Sequence, residues 1–325
     1  MSTKSHVSFL TVVLSLTILS YMLITPHVGT SYNFYAHQVQ VIRDGYPVTD
    51  YPVVTYILYA IDLVVNDITT TMNIFTVTCL SVCVLFSFYL TEGKHIWLCL
   101  LIPFNPYTFM LTKLALIRNI ASLPLLLMIL LGLKELDKGE SKNGAYMIGV
   151  AVFGLFLTHN LSLMVGALLV ATYVLLTKRL ASSEKLLSLL AVGVIAVFVI
   201  LLNMESLVPW MVSNLWVNWP RIFESVTYVS ISLSFFNFIL VLLFTQHCDN
   251  NNAQKSAALT GLLLLLGSWV APIGIDMRLV YYTPVFLLLC LYSNVEDSRY
   301  VGIQIFGYLL MVVHFFVLLV SSTIL

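Results

Sequence analysis

The chain has 325 residues, of which 60% are hydrophobic and only 9% charged, with a mean hydropathy of +0.97. Its 15 basic and 15 acidic residues cancel, which argues against a nucleic-acid partner. Apolar runs of about 18 or more residues recur from end to end, the pattern of membrane-spanning helices. The expected fold class is therefore all-α, a polytopic integral membrane protein forming one domain over 1–325.

The N-terminal stretch MSTKSHVSFLTVVLSLTILSYMLITP has an apolar run with no small-x-small cleavage pattern after it. It reads as a retained first span at 7–25 rather than a signal peptide. Further spans are expected at 70–90, 96–112, 119–135, 143–159, 160–177, 185–202, 228–246, 256–271, 278–292 and 300–321, about eleven in all.

The segment 51–67 is apolar but carries Asp62, Asn66 and Asp67. Charge decides its placement. With 51–67 on the outer surface, ten of the 15 basic residues, among them Lys134, Lys138 and Lys142, fall on the cytoplasmic side. Arg43, Lys113, Arg118, Arg221 and Arg278 then lie outside. That distribution obeys the positive-inside rule and makes the N-terminus cytoplasmic and the C-terminus external.

Residues 26–69 form the first outer loop. In NFYAHQVQVIRD, Asn33, His37, Gln40 and Asp44 recur at helical spacing along one face, while Tyr35, Val39 and Ile42 repeat on another. This predicts an amphipathic helix in the membrane interface. Its polar face either binds a ligand or simply meets water. Gly45 is placed to end it in left-handed geometry. Pro47 and Pro52 hold the following chain extended, with Asp50 between them. Asp50 is either a positioned base or the cap of a helix beginning near Tyr51.

Four of the five cysteines, Cys79, Cys83, Cys99 and Cys290, sit in apolar runs, and Cys248 lies in a polar loop. With no His or carboxylate near the Cys79–Cys83 pair, they read as small hydrophobes rather than metal ligands.

The layout resembles the GT-C superfamily of polytopic glycosyltransferases, which use lipid-phosphate-linked sugars. The stretch Asp50-Tyr51-Pro52-Val53-Val54-Thr55-Tyr56 is similar to a segment of the dolichyl-phosphate-glucose-dependent glucosyltransferases. The spacing of Phe34, His37, Ile42 and Gly45 resembles archaeal members. PFNPYTFMLTKLALIRN and APIGIDMRLVYYTP resemble the family's second and late outer loops, and LFLTHNLSLMVGAL resembles a small-residue and His segment of archaeal members. The resemblance implies interfacial helices in the first outer loop and sugar transfer at the outer or lumenal face. Such transfer would run from a polyprenyl- or dolichyl-phosphate donor onto a lipid or glycan acceptor, with membrane lipids as the surroundings and no further cofactor. The membrane would be the plasma membrane in a prokaryote or the endoplasmic reticulum in a eukaryote.

The family places an aspartate just before the histidine. Here GTSYNFYAH offers Thr30, Ser31 and Asn33, none of them acidic. Either Asp50 or Asp44 serves as the base, or the chain has lost transferase chemistry and keeps the fold for lipid-glycan binding or as a scaffold.

For the phosphate, Arg278 is favoured, with Arg118 and Lys113 as helpers, because guanidinium pairs well with phosphate oxygens. Arg278 alternatively pairs with Asp276 or snorkels to headgroups. His37, Asn33 and His159 are candidates for sugar hydroxyls. His159 equally suits a structural hydrogen bond closing a helix pair, and His314 reads as a satisfied interior histidine. Trp210, Trp216 and Trp219 fit a membrane interface or a sugar-stacking surface, with Glu205 and Glu224 flanking them. Pro103, Pro106 and Pro124 leave a third reading open, a secondary transporter with broken helices.

Overall fold

The structure is a computed structural model. It describes residues 3–24, 26, 30–48, 52–93, 96–178, 190, 193–194, 234–235, 237–239, 252–270, 279–296 and 301–324. Most of these residues are helical, with no strand among them.

In chain order the long helices are α1 (Thr3–Met22), α2 (Thr30–Arg43), α3 (Pro52–Val65), α4 (Ile68–Leu90), α5 (Pro106–Lys113) and α6 (Ile117–Lys138). They continue with α7 (Ser141–Thr158), α8 (Asn160–Leu176), α9 (Asn252–Val270), α10 (Thr283–Glu296) and α11 (Val301–Ile324). Among the described residues two helices are long and apolar enough to cross a membrane, α4 and α6. Helices also stand at most of the other expected spans, but 185–202 and 228–246 fall largely outside the described residues.

One expected span is interrupted. Residues 96–112 are not a continuous helix. A short 3-10 helix, Ile96–Leu100, gives way to turns over 101–104, and α5 starts afresh. Pro106 lacks the N–H a helix would need there, and its ring opposes the preceding turn. It sits at the start of α5 instead, where the Asn105 side chain accepts the Tyr107 N–H at 2.9 Å and caps the new helix. The break is sealed inside protein. Tyr21 of α1 donates to the Pro103 carbonyl, and Phe104 lies edge-on to Phe315 of α11 at 5.3 Å. Buried non-helical backbone needs its polar groups partnered in this way.

The packing orders the two ends of the bundle. α1 and α4 run antiparallel. Asn73 donates to the Ile24 carbonyl at 3.1 Å near one end, and Val13 meets Val84 and Cys99 toward the other. α6 and α7 form an antiparallel hairpin that turns at Gly139, whose φ is +97°. Their backbones meet where Gly132 faces Gly144. A Cβ on Gly144 would lie 2.6 Å from the Gly132 carbonyl oxygen. Thr172 of α8 bridges to Ser256 at 2.6 Å and Thr260 at 2.9 Å on α9.

The first loop folds as two helices. On α2, Tyr35 and Val39 are buried, whereas Asn33, His37, Gln40 and Asp44 are exposed, as the helical periodicity predicts. Gly45, at φ +85°, terminates the helix, and the Tyr46 N–H reaches back to the Val41 carbonyl at 3.1 Å. α3 has 14 residues, roughly 21 Å at 1.5 Å per residue. That is short of a hydrocarbon core of about 30 Å. Its buried Asp62 pairs with Arg43 of α2 at 2.5 Å, so the first loop is tied to itself by an ion pair.

Candidate functional site

At the end of the bundle where α6 begins, α2 lies over the α5–α6 turn. The turn is forced by a left-handed residue. Ala115 has φ +52°, with its N–H on the Thr112 carbonyl and the Leu116 N–H on the Leu111 carbonyl, each at 2.9 Å. This paired pattern closes a helix on a residue that is usually glycine. An alanine there costs about 1 kcal/mol. α6 then starts on Leu116, which supplies no side-chain cap, so the partial positive charge of the helix N-terminus faces this turn.

A cavity of about 150 Å³ opens beneath α2, lined by Ser31, Phe34, Tyr35, Ala115, Leu116, Arg118 and Asn119. The Arg118 guanidinium carbon lies 5.4 Å from the Phe34 ring centre and 5.9 Å from that of Tyr35. The negative faces of the two rings hold the cation in place. The volume matches about five waters at roughly 30 Å³ each. It suits a headgroup fragment, whereas sites for whole small molecules run to about 300 Å³ or more.

Behind the cavity sits a buried polar cluster. The Asn119 side-chain nitrogen donates to the Tyr282 hydroxyl at 2.8 Å. Tyr282 contacts Ser162 at 2.5 Å, and Ser162 contacts Ser122 at 2.8 Å. Ser122 donates to the Asn119 carbonyl at 2.6 Å. The His159 Nδ1 lies 2.7 Å from the Ser162 hydroxyl and 3.3 Å from that of Tyr282. All five residues are buried, so each hydrogen bond is expensive to leave unmade.

Of the residues expected from sequence, Arg118 lines the cavity and His159 joins it through this cluster. Lys113 is half-buried at the last residue of α5. Asn33, His37 and Asp44 occupy the exposed face of α2 and are not among the cavity-lining residues. Asp44 accepts from Gln40 at 2.9 Å. Asp50, Arg278, Trp210, Trp216, Trp219, Glu205, Glu224 and Cys248 lie outside the described residues.

Sequence reasoning did not single out Asn119, Ser122, Tyr282 or Ala115, and it read Ser162 only as the end of a glycosylation sequon, Asn160-Leu161-Ser162. The available signal was a pair of polar residues three apart in each of two apolar runs, Asn119 with Ser122 and His159 with Ser162. Among the described residues, no three His, Cys, Asp or Glu side chains gather as a metal site.

The opposite end is built differently. Glu92 bridges Lys134 at 3.1 Å and Lys138 at 3.2 Å. Partial burial pushes its carboxyl up, but the two lysines outweigh that and bring it down to about 2. A larger, open groove of about 510 Å³ lies beside them, lined by Phe86, Tyr89, Leu131 and Met147 among others. The buried Asp137 accepts the Ala253 N–H at 2.8 Å and the Tyr173 hydroxyl at 3.0 Å. It thereby caps α9 from another helix.

No family model matches the chain, and no curated protein matches it in sequence.

Proposed function

We propose that the chain is a polytopic integral membrane protein and a glycosyltransferase of the GT-C type. It moves a sugar from a polyprenyl- or dolichyl-phosphate donor to a lipid or glycan acceptor at the non-cytosolic face. Its N-terminus is cytoplasmic, in accord with ten of 15 basic residues falling on that side.

The observation that carries the reading is the Arg118 cavity, where a guanidinium and the start of α6 converge on a space of about 150 Å³ under an amphipathic helix. A phosphate is the group that such a pairing of fixed cation and helix N-terminus favours. In the reaction a base takes the proton of the acceptor hydroxyl, and that oxygen bonds the sugar's anomeric carbon. The anomeric carbon–oxygen bond to phosphate breaks with its electron pair going to the phosphate. Arg118 and α6 offset the charge growing on that leaving oxygen. Asp50 supplies the base in this reading, since Asp44 lies on the exposed face away from the cavity lining, and Arg278 adds to the phosphate site.

The test is transfer of labelled hexose from a polyprenyl-phosphate donor in proteoliposomes. Arg118→Ala is expected to lower the rate by about 10²-fold or more, as for loss of one oxyanion donor, with Arg118→Lys in between. An unchanged rate in Arg118→Ala overturns the assignment.

One observation favours a second reading. Among the described residues no carboxylate lines the cavity. A non-catalytic lipid-glycan binding subunit or scaffold would bind the donor headgroup through Arg118 and transfer nothing in the same assay.

A further inference from the structure

Taken together as hydrogen bonds, the contacts of the buried cluster behind the cavity fit one arrangement of protons. It is set by a single backbone carbonyl. The Asn119 carbonyl can only accept, so the Ser122 hydroxyl, 2.6 Å away, must donate to it. Its one proton is then committed. Ser162, 2.8 Å from Ser122, must therefore donate to Ser122. That commits the Ser162 proton in turn, so the Tyr282 hydroxyl at 2.5 Å must donate to Ser162. Tyr282 then has only lone pairs left for Asn119, and the group 2.8 Å away must be the Asn119 amide nitrogen. The same count fixes His159. Its Nδ1, 2.7 Å from Ser162, carries the proton. The ambiguity that usually attends an amide side chain or an imidazole tautomer is thus removed by the circuit itself, which leaves Asn119 and returns to it.

Asn119 lines the Arg118 cavity with its nitrogen already committed to Tyr282. One of the two amide N–H groups is held on Tyr282, which turns the nitrogen that way and leaves the carbonyl oxygen, an obligate acceptor, at the other end of the amide. We infer that Asn119 is a specificity-determining residue that accepts a hydroxyl of the ligand beside the phosphate held by Arg118. The cavity therefore prefers a phosphate ester carrying a neighbouring hydroxyl, such as a hexose 1-phosphate headgroup, over a simple alkyl phosphate. Tyr282, Ser162 and Ser122 are positioning residues that prevent the Asn119 amide from turning over. An amide free to turn would offer N–H to the cavity and lose the distinction between a hydroxyl donor and a bare acceptor. This inference rests on the phosphate reading of the cavity given above.

The experiment compares the affinities of hexose 1-phosphate and methyl phosphate for the full chain in lipid nanodiscs. The wild type is expected to prefer hexose 1-phosphate by about three- to tenfold, the range of one net hydrogen bond. Asn119→Ala is expected to bring that ratio close to one while methyl phosphate still binds. Tyr282→Phe, which removes the group holding the amide, is expected to lower the ratio partway. It also carries the test should Asn119→Ala fail to fold. A ratio unchanged in both variants overturns the inference and leaves the phosphate site standing. A wild type that binds neither probe overturns the phosphate reading, and this inference falls with it.

Discussion

The two ends of the bundle hold their charges in different ways. Where α4 ends and α6 ends, Lys134 and Lys138 share Glu92, and Lys138 also meets Glu135 at 3.1 Å. Where α6 begins, Arg118 lies against the faces of Phe34 and Tyr35, beside a cavity that no carboxylate lines among the described residues. A carboxylate partner cancels a cation's field, whereas an aromatic face steadies the cation and leaves its charge in place. The first end is built for cohesion. The second sets Arg118 against two aromatic rings at the edge of a cavity of about 150 Å³.

If cohesion is concentrated at the Lys134 end, the largest stability loss should come from its helix contact. Gly144→Val drives a side chain into the Gly132 carbonyl and the Leu136 side chain. It is expected to cost about 2–3 kcal/mol, the upper range for overpacking, read as a fall in melting temperature in detergent. An unchanged melting temperature would show that the α6–α7 contact gives way freely.

A smaller loss is expected from Arg43→Ala in the first loop. It strips the partner from the buried Asp62 and costs about 2 kcal/mol, below the full penalty for a buried pair because Arg43 is partly exposed. Asp62→Asn in the same background should recover part of that loss, since it removes the uncompensated charge. A double variant no more stable than Arg43→Ala contradicts the pairing.

The smallest effect is a pH dependence confined to the Lys134 end. Glu92 titrates at about 2 in the fold against an ordinary 4.5. Its contribution is therefore complete above about pH 4.5 and is lost as pH falls toward 2. Glu92→Gln should flatten that part of the stability profile, and parallel profiles for the two proteins would count against the lysine bridges.

Much of the first loop was legible because helical periodicity and turn chemistry are local. Tyr35 and Val39 turn inward, Asn33 and His37 outward, and Gly45 ends the helix in left-handed geometry. The break at 96–112 was legible only as an option raised by Pro103 and Pro106, since an interrupted passage and a straight helix can be equally apolar. The local clue was the Asn105-Pro106 pair, which makes a helix start where a helix interior was expected. The site was legible only in fragments. Arg118 stood out as a cation at a helix end, but the partner that fixes Asn119 lies 163 residues away at Tyr282. His159 was read as either a sugar ligand or a structural hydrogen bond, and its contact with Ser162 shows the structural bond without bearing on the sugar. The Asp62–Arg43 pair was missed because apolar runs conceal which of their rare charges face each other.

The most direct test of the proposed phosphate site is photo-crosslinking with a polyprenyl phosphate that carries the reactive group next to its phosphate. Labelled peptides are mapped in the full chain reconstituted in membranes. Labelling is expected within 31–35 and 115–119, lost in Arg118→Ala and retained in Lys138→Ala. Labelling confined to the groove around Phe86, Glu92 and Lys138, or indifferent to Arg118, would contradict the placement of the phosphate site at the start of α6.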